Sequence, residues 1–197
     1  MTPTTWRRLW HLIGGSAFPI LALFVTRDIL FILLGTVTAF LVAWEIVRFI
    51  SPSVNQWTAS HLRLILKRTD RFQLTGTTYL LLASLAVFFL FEKYVAITSL
   101  LFLSVGDLMA AAIGERFGRR RLLKKSLEGS LACLVSCLLI GMVMTQIGTG
   151  MALPVALAGA VSATIVEFLL IPFDDNFTMP LFSAGMMTLT ALVLGRL

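Results

Sequence analysis

Long apolar runs separated by short polar breaks set the pattern of this chain. The runs are Leu12 to Val25, Ile29 to Ile50, Thr75 to Phe91, Tyr94 to Ile113, Leu131 to Thr145, Met151 to Ile171 and Met179 to Leu194. The breaks are brief: Arg27–Asp28, Glu92–Lys93, Gln146 to Gly150, and Pro172 to Thr178, which reads PFDDNFT. A helix that crosses a bilayer takes ~20 apolar residues. The pattern therefore predicts an all-α fold, a multi-pass transmembrane helical bundle of about seven spans. The first run contains Gly14, Gly15 and Pro19 and is expected to tilt or kink. Pro180 is expected in the first turn of the last span, where a missing N–H costs nothing.

Ser51 to Leu74 is the polar exception. Pro52 ends the helix before it. Leu62, Ile65, Leu66 and Phe72 then fall at roughly helical spacing beside Arg63, Lys67, Arg68 and Arg71. That pattern predicts a cytoplasmic amphipathic helix lying in the headgroup region. Glu45 and Arg48, three residues apart near the end of the second run, share a helical face and are expected to pair.

Composition agrees with the runs. Of 197 residues, 58% are hydrophobic and 13% charged, and mean hydropathy is +0.92. The expectation is one integral membrane domain over residues 1–197, with no soluble domain attached. Trp6 to Phe24 begins with basic residues but lacks a small-residue cleavage site, so it reads as a retained first span. Cys133 and Cys137, one helical turn apart in an apolar run, read as small buried residues.

Charge supplies orientation. With seven spans, Arg27, Lys93 and Arg196 fall on one side, and the other thirteen of the sixteen Lys and Arg fall opposite. Cytoplasmic loops carry the excess of Lys and Arg. The amino terminus is expected in the cytoplasm and the carboxyl terminus on the other side. A net charge of +6 here reports topology and contact with lipid or phosphate. No nucleic-acid-binding pattern is present, and the oligomeric state is left open.

The same topology brings the candidate chemistry to one membrane face. Ser104 to Ser130 reads SVGDLMAAAIGERFGRRRLLKKSLEGS. It places Asp107 inside an apolar run, where an acid costs about 2.5–3.5 kcal/mol and ordinarily faces a partner or a wet cavity. A structural contact, such as a pair with Arg116, is the plain alternative. The run ends in a basic loop holding Gly114, Gly118, Arg119, Arg120, Arg121, Lys124 and Lys125. Glycines permit close backbone approach to phosphate, and Ser130 opens a helix whose first amides can face an anion. Lys124 stands where a P-loop needs glycine, so this is not a Walker A site. Glu167, Asp174, Asp175 and Asn176 offer hard oxygen ligands suited to Mg²⁺, with a solvated turn and a helix cap as the alternative for Asp174 and Asp175. Arg7, Arg8 and His11 open the first run and read as a possible lipid or interface contact.

At these residues a resemblance emerges. GDLMAAAIGERFGRRR…KKSLEGSLA and VEFLLIPFDDNFTMPL, with the opening WRRLWHLIGG, resemble the CTP-dependent lipid kinases: dolichol kinase, phytol kinase and the CTP-using diacylglycerol kinase. The resemblance covers nearly the whole chain. It implies transfer of the γ-phosphoryl of CTP to the hydroxyl of a membrane lipid alcohol, with a divalent cation such as Mg²⁺. It implies that Asp107 belongs to the catalytic or metal centre and that Lys125 stabilises the transferring charge. Lys125, Ser126, Glu128, Gly129 and Ser130 would hold the nucleotide; Glu167, Asp175 and Asn176 would complete the metal and phosphate site. The related phosphatidate cytidylyltransferases carry a histidine-containing C-terminal region that PFDDNFTMP lacks, which leaves CMP transfer to a lipid phosphate as the alternative. A non-enzymatic lipid transporter is the alternative from another class. The acceptor (polyprenol or dolichol, phytol or diacylglycerol) and the choice of CTP over another nucleotide stay open at this stage.

Overall fold

A computed structural model describes residues 3–66, 68–122, 125–169 and 173–195. Lys67, Lys124, Ile171, Pro172 and Arg196, on which the expectations above partly rest, lie outside them. The fold is helical throughout: α1 (Pro3–Phe24), α2 (Arg27–Ile50), α3 (Pro52–His61), α4 (Gly76–Leu90), α5 (Lys93–Leu101), α6 (Leu108–Phe117), α7 (Leu127–Gln146), α8 (Leu153–Phe168) and α9 (Asp175–Val193). A π-helical segment, Phe102–Asp107, joins α5 to α6. The exception to helix is a ladder of two-residue strands, β1 (Arg121–Leu122) and β2 (Lys125–Ser126), antiparallel with Arg121 opposite Ser126.

Among the described residues four helical stretches are long and apolar enough to cross a membrane: Arg27–Ile50, Lys93–Phe117, Leu127–Gln146 and Asp175–Val193. Gly76–Leu90 and Leu153–Phe168 are apolar but shorter. Most of the α2 surface is exposed, including Ile32, Phe40 and Ile50, and apolar side chains on an exposed helix of this length are suited to lipid. Inside, α8 packs between α7 and α9, α6 lies along α7, α4 packs on α9, and α1 packs on α5. Small residues let these helices approach. Gly106 faces Cys133 and Cys137, both fully buried with their sulfurs 4.0 Å apart, as expected of small apolar residues.

Several element boundaries differ from the sequence expectation. The first helix runs unbroken from Pro3, so Arg7, Arg8 and His11 are helical residues. The last helix starts at Asp175, capped by the Asp174 side chain, which accepts from the Asn176 N–H at 2.9 Å. Pro180 is therefore not in the first turn but one turn further in. Between residues 51 and 74 the helix covers Pro52–His61 and a 3₁₀ turn covers Arg68–Arg71. Leu62, Ile65 and Leu66, whose spacing predicted the interfacial helix, follow α3 in a turn. Phe72, the fourth of that set, also lies outside any helix, and four such residues cannot offset the cost of nucleating a separate helix.

Glu45 and Arg48 do pair, and they do more. Arg48 is 1% exposed. Its guanidinium donates to the Glu45 carboxylate, to the carbonyls of Asp70 and Gln73 at 2.5 and 2.6 Å, and to Asn55 Oδ1 at 3.3 Å. Glu45 accepts in turn from the Thr75 N–H and the Thr78 hydroxyl at 3.1 and 3.0 Å. One buried pair thus fastens the end of α2 to α3, to the 70–73 loop and to the start of α4. Removing one member leaves the other charge buried. Arg48→Met is expected to cost about 3–5 kcal/mol. Adding Glu45→Gln should recover part of that loss, read as the unfolding midpoint in detergent micelles.

Candidate functional site

The site gathers residues from both halves of the chain. The π-helical segment ends at Asp107. Such a turn carries one extra residue and shifts the faces of the helix beyond it, and it is frequent at functional sites. From there Asp107, Ala111 and Glu115 recur at four-residue spacing on one face of α6. Asp107 lies 3.8 Å from His11 Nε2 through its Oδ2, and Glu115 forms an ion pair with Arg8, so two turns of α1 dock on two turns of α6. The expected alternative partner, Arg116, stacks on the Phe117 ring instead.

Across from this face stands Lys125. Its Nζ is 3.0 Å from Asp175 Oδ2 and 3.2 Å from Glu167 Oε1. Glu167 is 4% exposed, and its other oxygen accepts from the Ser130 hydroxyl at 3.0 Å. The β1–β2 ladder presents Lys125, α8 ends one residue after Glu167, and α9 begins at Asp175. Burial pulls the Lys125 ammonium toward neutrality, but the carboxylates of Asp175 and Glu167 outweigh it and hold its pKa above the ordinary lysine value. The group is a cation at every physiological pH.

Asp107, Lys125, Glu167 and Asp175 open onto one cleft of about 310 Å³, which Gly114, Arg121, Ser126 and Gly129 also line. A second cleft of about 460 Å³ shares Asp107, Glu115 and Asp175 as a common wall and extends past His11, Arg7 and Arg8 to Thr75, Asp174 and Asn176. Asp107 and Asp175 are near enough for their charges to repel.

Other candidates are elsewhere or act differently. Ser126 caps α7: its Oγ accepts from the Gly129 N–H at 3.1 Å. The helix thus opens at Leu127, and Ser130 stands in its first turn, not at its start as expected. The Leu127 N–H donates to the Arg120 carbonyl at 3.0 Å. Two first-turn amides of α7, those of Leu127 and Gly129, are therefore already bonded within the chain. Glu128 turns back to accept from the Arg120 N–H at 3.2 Å, pinning the basic loop, and it does not line the cleft. The glycines serve packing. A Cβ on Gly129 would stand 2.6 Å from the Ala110 carbonyl, and one on Gly114 would stand 2.7 Å from Ser126 Oγ. Gly118 ends α6. Asn176 lines the second cleft and not the first. Lys124 lies outside the described residues.

Sequence reasoning missed Glu115. Its signal was present: an acid two turns after Asp107 with alanine between them. It missed the His11–Asp107 approach because nothing local relates positions so far apart.

These features define the class: an all-helical protein with four candidate membrane spans and a charged cleft where Asp107, Lys125, Glu167 and Asp175 meet. No family model and no solved structure matches the chain. Over 181 residues it is 27% identical to the uncharacterized protein RP860 of Rickettsia prowazekii, covering 89% of this chain and 88% of that one. Over 212 residues it is 28% identical to CTP-dependent diacylglycerol kinase 1 of Eremothecium gossypii, covering 90% of this chain. The chain spans 64% of that kinase's length.

Two outcomes test this geometry. Gly129→Ala is expected to push α6 from α7 and cost about 1–3 kcal/mol in unfolding. Lys125 is raised, so its ion pairs stabilise fully below the ordinary lysine value and lose that contribution as pH climbs through the higher folded value. The stability gap between wild type and Lys125→Met should be flat through neutral pH and should close only above pH 10.5, the ordinary value.

Proposed function

We propose that this protein is a CTP-dependent lipid kinase, moving the γ-phosphoryl group of CTP to the hydroxyl of a membrane lipid alcohol. The observation that carries the reading is the convergence of Asp107, Lys125, Glu167 and Asp175 on one cleft from segments far apart in the chain. Distant similarity to a CTP-dependent diacylglycerol kinase supports the same class. The acceptor is a diacylglycerol, phytol or a polyprenol such as dolichol.

In this reading the whole chain is one membrane domain. α1, α4 and α8 join the four long apolar helices to make seven spans. α4 and α8, with 15 and 16 residues, are short for a bilayer and sit where neighbouring helices or a thinned membrane make up the difference. The amino terminus and the cleft face the cytoplasm, the carboxyl terminus faces the other side, and residues 51–74 lie at the headgroup plane.

The triphosphate enters beside Lys125 and Arg121, whose charges offset its own. Glu167, itself fixed by the Ser130 hydroxyl, holds Lys125 in place from behind. The acceptor hydroxyl approaches along the second cleft, so Asp107 stands between the two substrates. Asp107 takes the hydroxyl proton as the lipid oxygen bonds to the γ-phosphorus. The bond from that phosphorus to the β–γ bridging oxygen breaks, and CDP leaves. His11 beside Asp107 orients its carboxylate.

Among the described residues no three His, Cys, Asp or Glu side chains form a metal-binding group, and Glu167 and Asp175 are paired with Lys125. The donor chemistry nonetheless fits Mg²⁺, which is commonly held by one or two carboxylates with the rest of its shell from phosphate and water. Asp107 and Asp175 would hold it, with the Asn176 amide near the second cleft, and it would neutralise charge on the β- and γ-phosphates.

The test is to supply purified protein in lipid with Mg²⁺ and CTP labelled at the γ- or the α-phosphate. Label in lipid from the γ position alone is expected. Label from the α position would mean cytidylyl transfer, and none from either would favour a transporter. Asp107→Asn should reduce γ-transfer by about 10²–10⁴-fold, the range for losing a general base, with insertion unchanged. Near-wild-type turnover in that variant would remove Asp107 from the centre.

A further inference from the structure

A third cleft, about 660 Å³, shares Leu66 and Asp70 with the second and none of its lining residues with the first. Buried Arg48 closes its floor, and Asn55, Ser60, Arg63, Arg71 and Phe72 line it. The bonding of Arg48 to Glu45 and to two carbonyls occupies that guanidinium. Arg63 and Arg71 are different. Both are exposed, and neither has an ion-pair partner among the described residues. Two exposed cations thus face one concave opening, whose one acid among the described lining residues is the buried Asp70.

The surface around the opening is apolar. Phe72 is 87% exposed, and Trp57, Leu62 and Leu64 are exposed as well. These side chains follow directly on Phe49 and Ile50, exposed at the end of the candidate span α2. The medium that covers α2 therefore continues over this patch. An apolar rim with two cations set inside it matches a lipid at the interface, with acyl chains against the aromatics and an anionic headgroup against the guanidinium groups. We propose that this cleft binds the phosphodiester headgroup of an anionic phospholipid. The site is separate from the reaction cleft and does not depend on the phosphoryl-transfer reading. It borders the proposed acceptor cleft, since Leu66 and Asp70 line both. The carbonyl of Asp70 is held by Arg48, so the partition between the clefts is anchored in the protein.

With Trp6, Trp10 and Trp44 replaced by Phe, Trp57, on the helix that carries Asn55 and Ser60, reports occupancy. The intact protein is reconstituted in bilayers containing bromine-labelled phosphatidylglycerol or bromine-labelled phosphatidylcholine at equal mole fraction, and tryptophan quenching is compared. The single-tryptophan protein should prefer the anionic lipid, with about fivefold per arginine in apparent affinity. Arg63→Gln with Arg71→Gln should abolish the preference, and Arg63→Lys with Arg71→Lys should retain it. Lys93→Gln, which removes a cation at the start of α5, should leave it unchanged. Equal quenching by the two lipids in the single-tryptophan protein would overturn the proposal, as would an undiminished preference in the double glutamine variant. Relief of the quenching by free inorganic phosphate at constant ionic strength would overturn the assignment to a lipid headgroup.

Discussion

A lysine ammonium shared between two carboxylates holds the charged end of this bundle together. Lys125 arrives on a short strand, Glu167 at the end of α8 and Asp175 at the start of α9, and the ion pairs join all three. Without the cation, Glu167 would be a charge buried at the edge of an apolar bundle, with one serine hydroxyl for company. Burying an acid in that way is costly unless it is paired and hydrogen-bonded. The constraint runs both ways, because the carboxylates also keep Lys125 charged against the pull of its own burial.

The same principle recurs at the end of α2. Glu45 and Arg48 form a second buried pair, used to fasten irregular chain to helices. The two pairs differ in what they leave open. Arg48 spends its donors on carbonyls and carboxylate and serves architecture. Lys125 borders a cleft and has Asp107 and Arg121 as neighbours on its walls. Arg48 also borders a cleft, but its donors are already spent within the chain.

Small residues are the other half of this arrangement. Gly114 and Gly129 allow α6 and α7 to meet with the Ser126 hydroxyl between them. That approach sets the distance between Asp107 on one element and Lys125 beside the other. Gly114 and Gly129, which line the cleft, are also the joint that shapes it.

The sequence by itself determined the helical character, the apolar segments and the clustering of acids and cations toward common breaks. It could do so because hydropathy and charge act on each segment locally: an apolar run of this length must leave water, and its polar ends must stay near water. The Glu45–Arg48 pair was legible for the same reason, being one helical turn long. Tertiary structure decided the rest. It brought His11 to Asp107 and Lys125 to Asp175, turned Glu128 toward the Arg120 backbone, and moved the helix of the 51–74 segment ahead of the residues whose spacing suggested one. Those outcomes depend on how helices pack. Packing is settled by shape and by the partners that buried charges find, and neither is written in the period of a single segment.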